Sequence, residues 1–317
     1  MGLLDQASFF EKYHINPDFF AKIKLTWTEI EEIYDNYLVF SQKLKPIADT
    51  IAEILRKHPD IHTVKTRIKT PEHLIEKIIR KSIENRDDPL YKITIESYKR
   101  LITDLIGIRI LHLYKDQAYH IDKFIQHSWP LTETATIYYR EGDKLTLNGV
   151  DDNTSYRFEQ HPVGYRSWHY ILRVAEKNLE YKAELQVRTI FEEGWSEVDH
   201  QLRYPYDLDN PLLEDQLLVL NRIAGSADEL ANTIRETQLS HDLLRSQNEE
   251  YKQKIEALSE ELETALEEKT FNEQLVKNLK EQIDSLKPSM HFPNKELTGK
   301  NKPLYLRGIQ GSLTNDE

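Results

Sequence analysis

The chain has 317 residues, with 42 Lys+Arg against 54 Asp+Glu, a formal net charge of -12 and no cysteine. This composition excludes disulfides, thiolate metal sites and cysteine nucleophiles, and an acidic total argues against general coating of nucleic acid while leaving room for a local basic pocket. No basic segment followed by an apolar core opens the sequence and no run approaches the roughly 18 apolar residues of a membrane span, so a cytoplasmic protein with no membrane attachment is expected.

Residues 8 to 58 read as helix. Phe19, Phe20, Ile23, Leu25, Trp27, Ile30, Ile33, Tyr34, Tyr37, Leu38, Ile47, Ile51, Ile54 and Leu55 recur at spacings of three and four, the mark of a scaffold face turned to a core. Pro46 is expected to break or kink this stretch into two helices. From His62 the character changes: Lys65, Arg67, Lys69, Lys77, Arg80 and Lys81 face only Glu72 and Glu76, a cationic island in an acidic chain. Val64, Thr66 and Ile68 alternate with Lys65, Arg67 and Lys69, which predicts a short strand with one positive face. Thr70-Pro71 then supplies an N-cap and a proline at the first helical position, and Leu74, Ile75, Ile78 and Ile79 carry the helix on. His73, Lys77, Arg80 and Lys81 share one face of it. A solvated lysine face is one reading. The other is that strand and helix converge cations on a polyanion, most simply a nucleoside triphosphate.

A helical stretch from Ile95 to Ile102 leads into Asp104-Leu-Ile-Gly-Ile-Arg109-Ile-Leu-His-Leu113, whose apolar run predicts a buried strand. Buried charge is costly unless it is partnered, so Asp104 and Arg109 belong at the ends of the buried part or beside counter-charges. Alternation puts the two on opposite faces. To serve one site, Asp104 has to lie in the turn before the strand, with Gly107 offering a bulge. A helix over 115 to 127 follows, then strands at 134 to 139 and 144 to 147 around the hairpin signal Glu141-Gly142-Asp143, and an irregular connection over 149 to 163.

The stretch from Gly164 to Tyr204 alternates polar and apolar residues at a period of two. Tyr165, Ser167 and His169 fall on one face, with Trp168, Tyr170, Leu172 and Val174 on the other; in the next strand Glu184, Gln186 and Arg188 oppose Leu185 and Val187. Such a polar face is either wet or a site. Helix returns over Leu212 to Ile234. Beyond it Leu244, Tyr251, Ile255, Leu258, Leu262, Ala265, Val276, Leu279, Ile283 and Leu286 fit heptad spacing, with Asn248, Lys269 and Asn272 in the seam, which predicts an oligomerising or partner-binding coiled coil. Residues 288 to 317, with Pro288, Pro293 and Pro303, read as a poorly ordered tail.

The expected fold is therefore α+β, a central mixed sheet flanked by helices. Four parts are expected: an N-terminal helical region over 1–44, the mixed-sheet core domain over 45–210, C-terminal helices and coiled coil over 211–287, and the tail. The chain has no GxxxxGK[ST] loop and no HExxH. Two distant carboxylates among many Lys and Arg suit a hard cation held jointly with substrate phosphates, and so magnesium-dependent chemistry.

Five motifs in order resemble the synthetase domain of RelA/SpoT-type alarmone synthetases, over about residues 45–210. They are Val64-Lys-Thr-Arg67-Ile-Lys69 with Lys77, Asp104-Leu-Ile-Gly-Ile-Arg109, Gly164-Tyr-Arg-Ser-Trp-His169, Glu184-Leu-Gln-Val-Arg188-Thr189, and Trp195 to Tyr204. The resemblance implies a nucleotidyltransferase-like domain that moves pyrophosphate from ATP to the 3′-hydroxyl of GDP or GTP, releasing AMP and making (p)ppGpp. It implies that Arg67 and Arg109 sandwich the adenine, Lys69 and Lys77 hold the ATP phosphates, Asp104 and Glu184 carry Mg2+, and Glu184 orients or deprotonates the attacking hydroxyl. Tyr165 would stack on the guanine, with His169 and Arg188 supporting the acceptor. His161 stands where the family often has a lysine that grips the acceptor's phosphates. The hydrolase module of long family members is missing, so no degradation of alarmone is expected. A toxin-like relative acting on tRNA 3′ ends or adenine nucleotides, and a non-catalytic nucleotide-sensing scaffold built on the coiled coil, stay open as alternatives. Association into a homo-oligomer of two to four chains through the C-terminal helices is expected.

Overall fold

A computed structural model describes residues 5–88, 90–143, 156–176, 179–203, 211–267 and 273–287. The N-terminal helices are α1 (Gln6–Lys12), α2 (Pro17–Phe20) and α3 (Trp27–Leu55). The expected continuous helical stretch is interrupted, because Ile23 and Leu25 lie in the turn between α2 and α3. Thr26 starts α3 with a capping box: its side chain accepts from the Glu29 backbone N–H, and Glu29 reaches back to the Thr26 N–H at 2.8 Å. Contrary to expectation, α3 runs through Pro46 as one helix. The proline removes one N–H from the ladder, but Leu44, Ala48, Ile51, Ala52 and Leu55 on either side are all buried, and that packing outweighs the missing bond.

Among the described residues six strands form one mixed sheet in the order β1-β2-β6-β5-β3-β4, as the α+β expectation requires. They are β1 (Thr63–Ile68), β2 (Ile106–His112), β3 (Thr136–Tyr139), β4 (Arg157–Gln160), β5 (Ser167–Glu176) and β6 (Leu179–Thr189). Helices α4 (Pro71–Glu84), α5 (Tyr98–Leu101), α6 (Gln117–Ser128) and α7 (Ile190–Arg203) connect or follow them. Only α5 is helical within the expected 95–102 stretch. The β2 to β6 pairing is parallel, while β1 and β5 flank that pair antiparallel. Pairing along β2 is continuous through Gly107, so the bulge is absent. Strand β4 falls inside the expected irregular connection; three of its four residues are exposed, so it has no buried face to announce itself in the sequence. The expected strand at 144–147, residues 149–155 of the connection, Tyr204, the seam positions Lys269 and Asn272, and the 288–317 tail lie outside the described residues.

The core lies on one face of the sheet. Ile106, Ile108 and Ile110 of β2, Tyr170 and Leu172 of β5, and Ala183, Leu185 and Val187 of β6 are fully buried there, and α3 packs against β1, β2 and α4. Each such aliphatic side chain contributes about 1.5–3 kcal/mol of burial free energy, which fixes the register: a one-residue slip would exchange this face for the polar one.

The chain divides into two compact units, residues 1–232 and 233–317. Helix α8 (Pro211–Glu267) runs on from the first into the second, which also holds α9 (Glu273–Leu286). In the second unit Leu279 and Ile283 are buried and Tyr251, Ile255, Leu258 and Leu262 are half-buried, all positions of the expected heptad seam, whereas Leu244, also placed in that seam, is exposed. Among the described residues no helix is long and apolar enough to cross a membrane.

Candidate active site

The register that buries the isoleucines of β2 sends the alternate residues to the opposite face. Across the strands Arg67 pairs with Gly107 and Gly107 with Glu184; one step along, Lys65 pairs with Arg109, Arg109 with Gln186, Gln186 with His169, and His169 with Thr136. Directly paired residues share a face, so one polar row crosses five strands. Asp104 lies in the turn before β2, as a shared site demands of a residue of the wrong parity.

Lysines gather at the start of this row. Lys69, 7% exposed, and Lys77 of α4 both place Nζ 2.8 Å from Asp104 Oδ2. Lys69 is fixed by its backbone too: its N–H donates to the Leu105 carbonyl and its carbonyl accepts from the Tyr37 hydroxyl. Burial raises the Asp104 carboxyl, but the charges of Lys69 and Lys77 and their hydrogen bonds outweigh it and hold the group at about 2. Burial pushes Lys69 below the ordinary lysine value despite Asp104. At 2.8 Å, with two ammonium groups on one oxygen, the ionised pair is the state that the geometry supports. Asp104 Oδ1 is buried and accepts no hydrogen bond. Arg67 is exposed on the polar face of β1. Of the four residues on the cationic face of α4, Arg80 pairs instead with Glu76 and Glu84 of its own helix.

Glu184 occupies the centre, on β6. His169 Nδ1 is 3.5 Å from Glu184 Oε1, and Gln186 donates to Oε2 at 3.1 Å. Burial raises this carboxyl, yet the hydrogen bond and charge of His169 bring it below the ordinary glutamate value; Asp104 and Lys77 are near enough to act on it as well. The other ring nitrogen of His169, Nε2, is 2.9 Å from the hydroxyl of Tyr165, which gives a Tyr165–His169–Glu184 chain.

Aromatic rings flank that chain. Tyr165 lies in the loop just before β5, two residues short of the strand on which the sequence places it. Its ring centroid is 5.3 Å from His161, 5.7 Å from His169 and 5.8 Å from Tyr138. The Arg188 guanidinium is 5.4 Å from the same ring. Arg188 is almost fully buried and donates to Gln186 Oε1 and to Ser196 of α7. It also pairs with Glu193 of α7 at 3.1 Å, and Glu193 in turn reaches Lys65 at 3.1 Å and Arg109 at 3.2 Å. Arg109 contacts Glu197 as well.

Every candidate read from the sequence is thus on one face: Lys69, Lys77 and Asp104 together, Glu184 between, and His161, Tyr165, His169 and Arg188 beyond it. Arg67 and Arg109 stand on neighbouring strands, but Arg109 is drawn to α7. Sequence reading missed Tyr138 and the role of Glu193. The parity of Tyr138 within β3 was the available signal for the first; for the second there was only its place in the Glu192-Glu193-Gly194-Trp195 run. Among the described residues no three His, Asp or Glu side chains form a ready metal cluster. The fit to a hard divalent cation rests on Asp104 Oδ1, which accepts no hydrogen bond, and on Glu184, near enough for the two carboxylates to feel each other's charge, which suits a cation completed by phosphate oxygens.

Residues 66–209 match the family described as the region found in RelA / SpoT proteins. The GTP pyrophosphokinase YwaC of Bacillus subtilis strain 168 is 28% identical over 181 residues, 56% of this chain and 74% of the relative. The GTP pyrophosphokinase YjbM of the same organism is 27% identical over 198 residues, 61% of this chain and 79% of the relative. Among solved structures, a GTP pyrophosphokinase family protein from Streptococcus pneumoniae aligns with 68% of this chain and 97% of its own, at 24% identity and a TM-score of 0.44.

Proposed function

We propose, from the premise that residues 66–209 are a RelA/SpoT-type region, that this protein is a GTP pyrophosphokinase. It transfers the β,γ-pyrophosphoryl group of ATP to the 3′-hydroxyl of GDP or GTP. The hydroxyl oxygen attacks the β-phosphorus, the bond from that phosphorus to the α,β-bridging oxygen breaks, AMP leaves, and the hydroxyl proton passes to a base. The observation that carries the reading is the placing of Glu184 between a lysine cluster and an aromatic cluster on one sheet face.

The donor side is Lys69 and Lys77 on the ATP phosphates, with Arg67 and Arg109 stacking on the adenine, work suited to planar guanidinium. Released from Asp104 by a phosphate chain, the two ammonium groups keep a counter-charge at the same place. Asp104 and Glu184 would hold Mg2+, which supplies charge neutralisation on the transferring phosphates. On the acceptor side Tyr165 stacks on guanine, His161 and Arg188 line its surroundings, and His169 orients Glu184. A carboxylate held below its ordinary pKa is a weak base. That is adequate here, because phosphoryl transfer asks mainly for in-line positioning and neutralisation of charge. We assign catalysis to a domain spanning 45–210 and assembly into a homo-oligomer to the helices over 211–287.

The test offers ATP labelled at its γ-phosphate with GDP, GTP, adenine nucleotides and bulk tRNA separately, in Mg2+ and after its removal by chelation, with Glu184→Ala as the blank. Label moving to GDP or GTP, AMP released in equal amount, and loss of both on chelation are expected. Label on tRNA or an adenine nucleotide instead would overturn the acceptor, and no transfer to any acceptor would overturn the reading.

A further inference from the structure

Tyr165 is held from a direction that the sheet does not supply. Gly164, just before it, has φ +76°, a left-handed conformation open to glycine, and a Cβ there would lie 3.0 Å from Arg140 and 3.1 Å from Asn221 Oδ1. Asn221 belongs to α8 and is 2% exposed. Its Nδ2 donates to the Gly164 carbonyl at 3.0 Å, and its Oδ1 accepts from Arg140 Nη1 at 3.2 Å. Only this orientation of the amide satisfies both neighbours, since a guanidinium cannot accept and a carbonyl cannot donate. The residue after Tyr165 is held on the same side. Arg166 makes a two-point ion pair with Asp143 at 2.6 and 2.9 Å, and its guanidinium lies against Gly225, one turn beyond Asn221, where a Cβ would come within 3.1 Å.

We propose that Asn221 is a positioning residue for the acceptor nucleotide: by holding the Gly164 carbonyl, it sets the plane of the Tyr165 ring on which the acceptor's base stacks. The assignment rests on the pyrophosphokinase reading and deepens it. Asn221 lies outside the matched 66–209 region, so acceptor affinity is set in part by a helix beyond the synthetase motifs. The lysine cluster and Asp104 make none of these contacts, so the donor side should not feel the change.

Steady-state kinetics of the full chain tests it, with wild type, Asn221→Ala and Asn221→Asp, each varied in ATP and in GDP, and a thermal melt of each. Asn221→Ala should raise the KM for GDP roughly tenfold, the scale of one buried hydrogen bond lost, with KM for ATP and kcat at saturation within about twofold. Asn221→Asp keeps the Arg140 contact but sets an oxygen against the Gly164 carbonyl, so it should raise the KM for GDP at least as much. Equal losses for both substrates, an unchanged KM for GDP, or recovery by Asn221→Asp would overturn the assignment while an active wild type upholds the reaction. A wild type inactive with every acceptor would overturn both.

Discussion

Glu193 gathers three cations from three strands, Lys65 of β1, Arg109 of β2 and Arg188 of β6, although its own side chain is only 6% exposed. Burial raises its carboxyl, and Arg188 and Arg109 bring it back below the ordinary glutamate value. Since Arg109 is assigned to the donor and Arg188 to the acceptor, one carboxylate braces both sides. Glu193→Gln should therefore lower kcat/KM for ATP and for GDP together and cost about 3 kcal/mol of stability in urea unfolding, because the Arg188 charge would stay buried without its counter-ion. Asp104 tests the electrostatics differently. Its pKa falls from 3.8 in the unfolded chain to about 2 in the fold, so its contribution is complete above pH 3.8 and is lost as pH falls toward 2. That contribution is about 2 kcal/mol. The acid-limb difference in stability between wild type and Asp104→Asn should accordingly shrink over that window; a constant difference would refute the ion pair. At this scale the sequence was informative where a residue stood out from its surroundings, as Lys69 and Lys77 do in an acidic chain. It was silent about Glu193, whose neighbours in space are five, 84 and 128 positions away and are brought together only by the β1-β2-β6 order.

Elements follow from local signals as far as burial or capping writes them into the chain. Thr70-Pro71 starts α4 as read, and the isoleucines of β2 and the alternation of β6 are borne out residue by residue. Pro46 misleads because tertiary packing along α3 overrides a local helix breaker, and β4 is missed because an exposed edge strand carries no face pattern. The Thr26–Glu29 capping box was legible and unused; it marks where α3 begins after the Ile23–Leu25 turn. Thr26→Ala removes the side-chain acceptor for the Glu29 N–H and one hydroxyl donor to the Glu29 carboxylate. The expected loss is about 1 kcal/mol in urea unfolding, with both KM values unchanged, since the cap supports the scaffold and not the polar face.

At the scale of the molecule, the polar face is assembled from residues 65 to 197, all in the unit spanning 1–232, while the heptad seam lies in the unit spanning 233–317. The candidate catalytic side chains named for the polar face therefore all come from one unit of one chain. A seam that keeps Ile255 and Leu262 only half-buried within one chain leaves apolar surface that the proposed homo-oligomer would cover. Sequence periodicity could find that seam, but not the number of chains, which depends on geometry between copies. Sedimentation equilibrium of wild type should give two to four times the monomer mass, and Ile255→Lys combined with Leu262→Lys should return it to the monomer. Because no site residue comes from the seam, the monomeric variant should keep its kcat for pyrophosphate transfer within about twofold. A loss of activity in step with the loss of mass would mean that a neighbouring chain completes the site. A variant that stays oligomeric would place the association surface elsewhere on the chain.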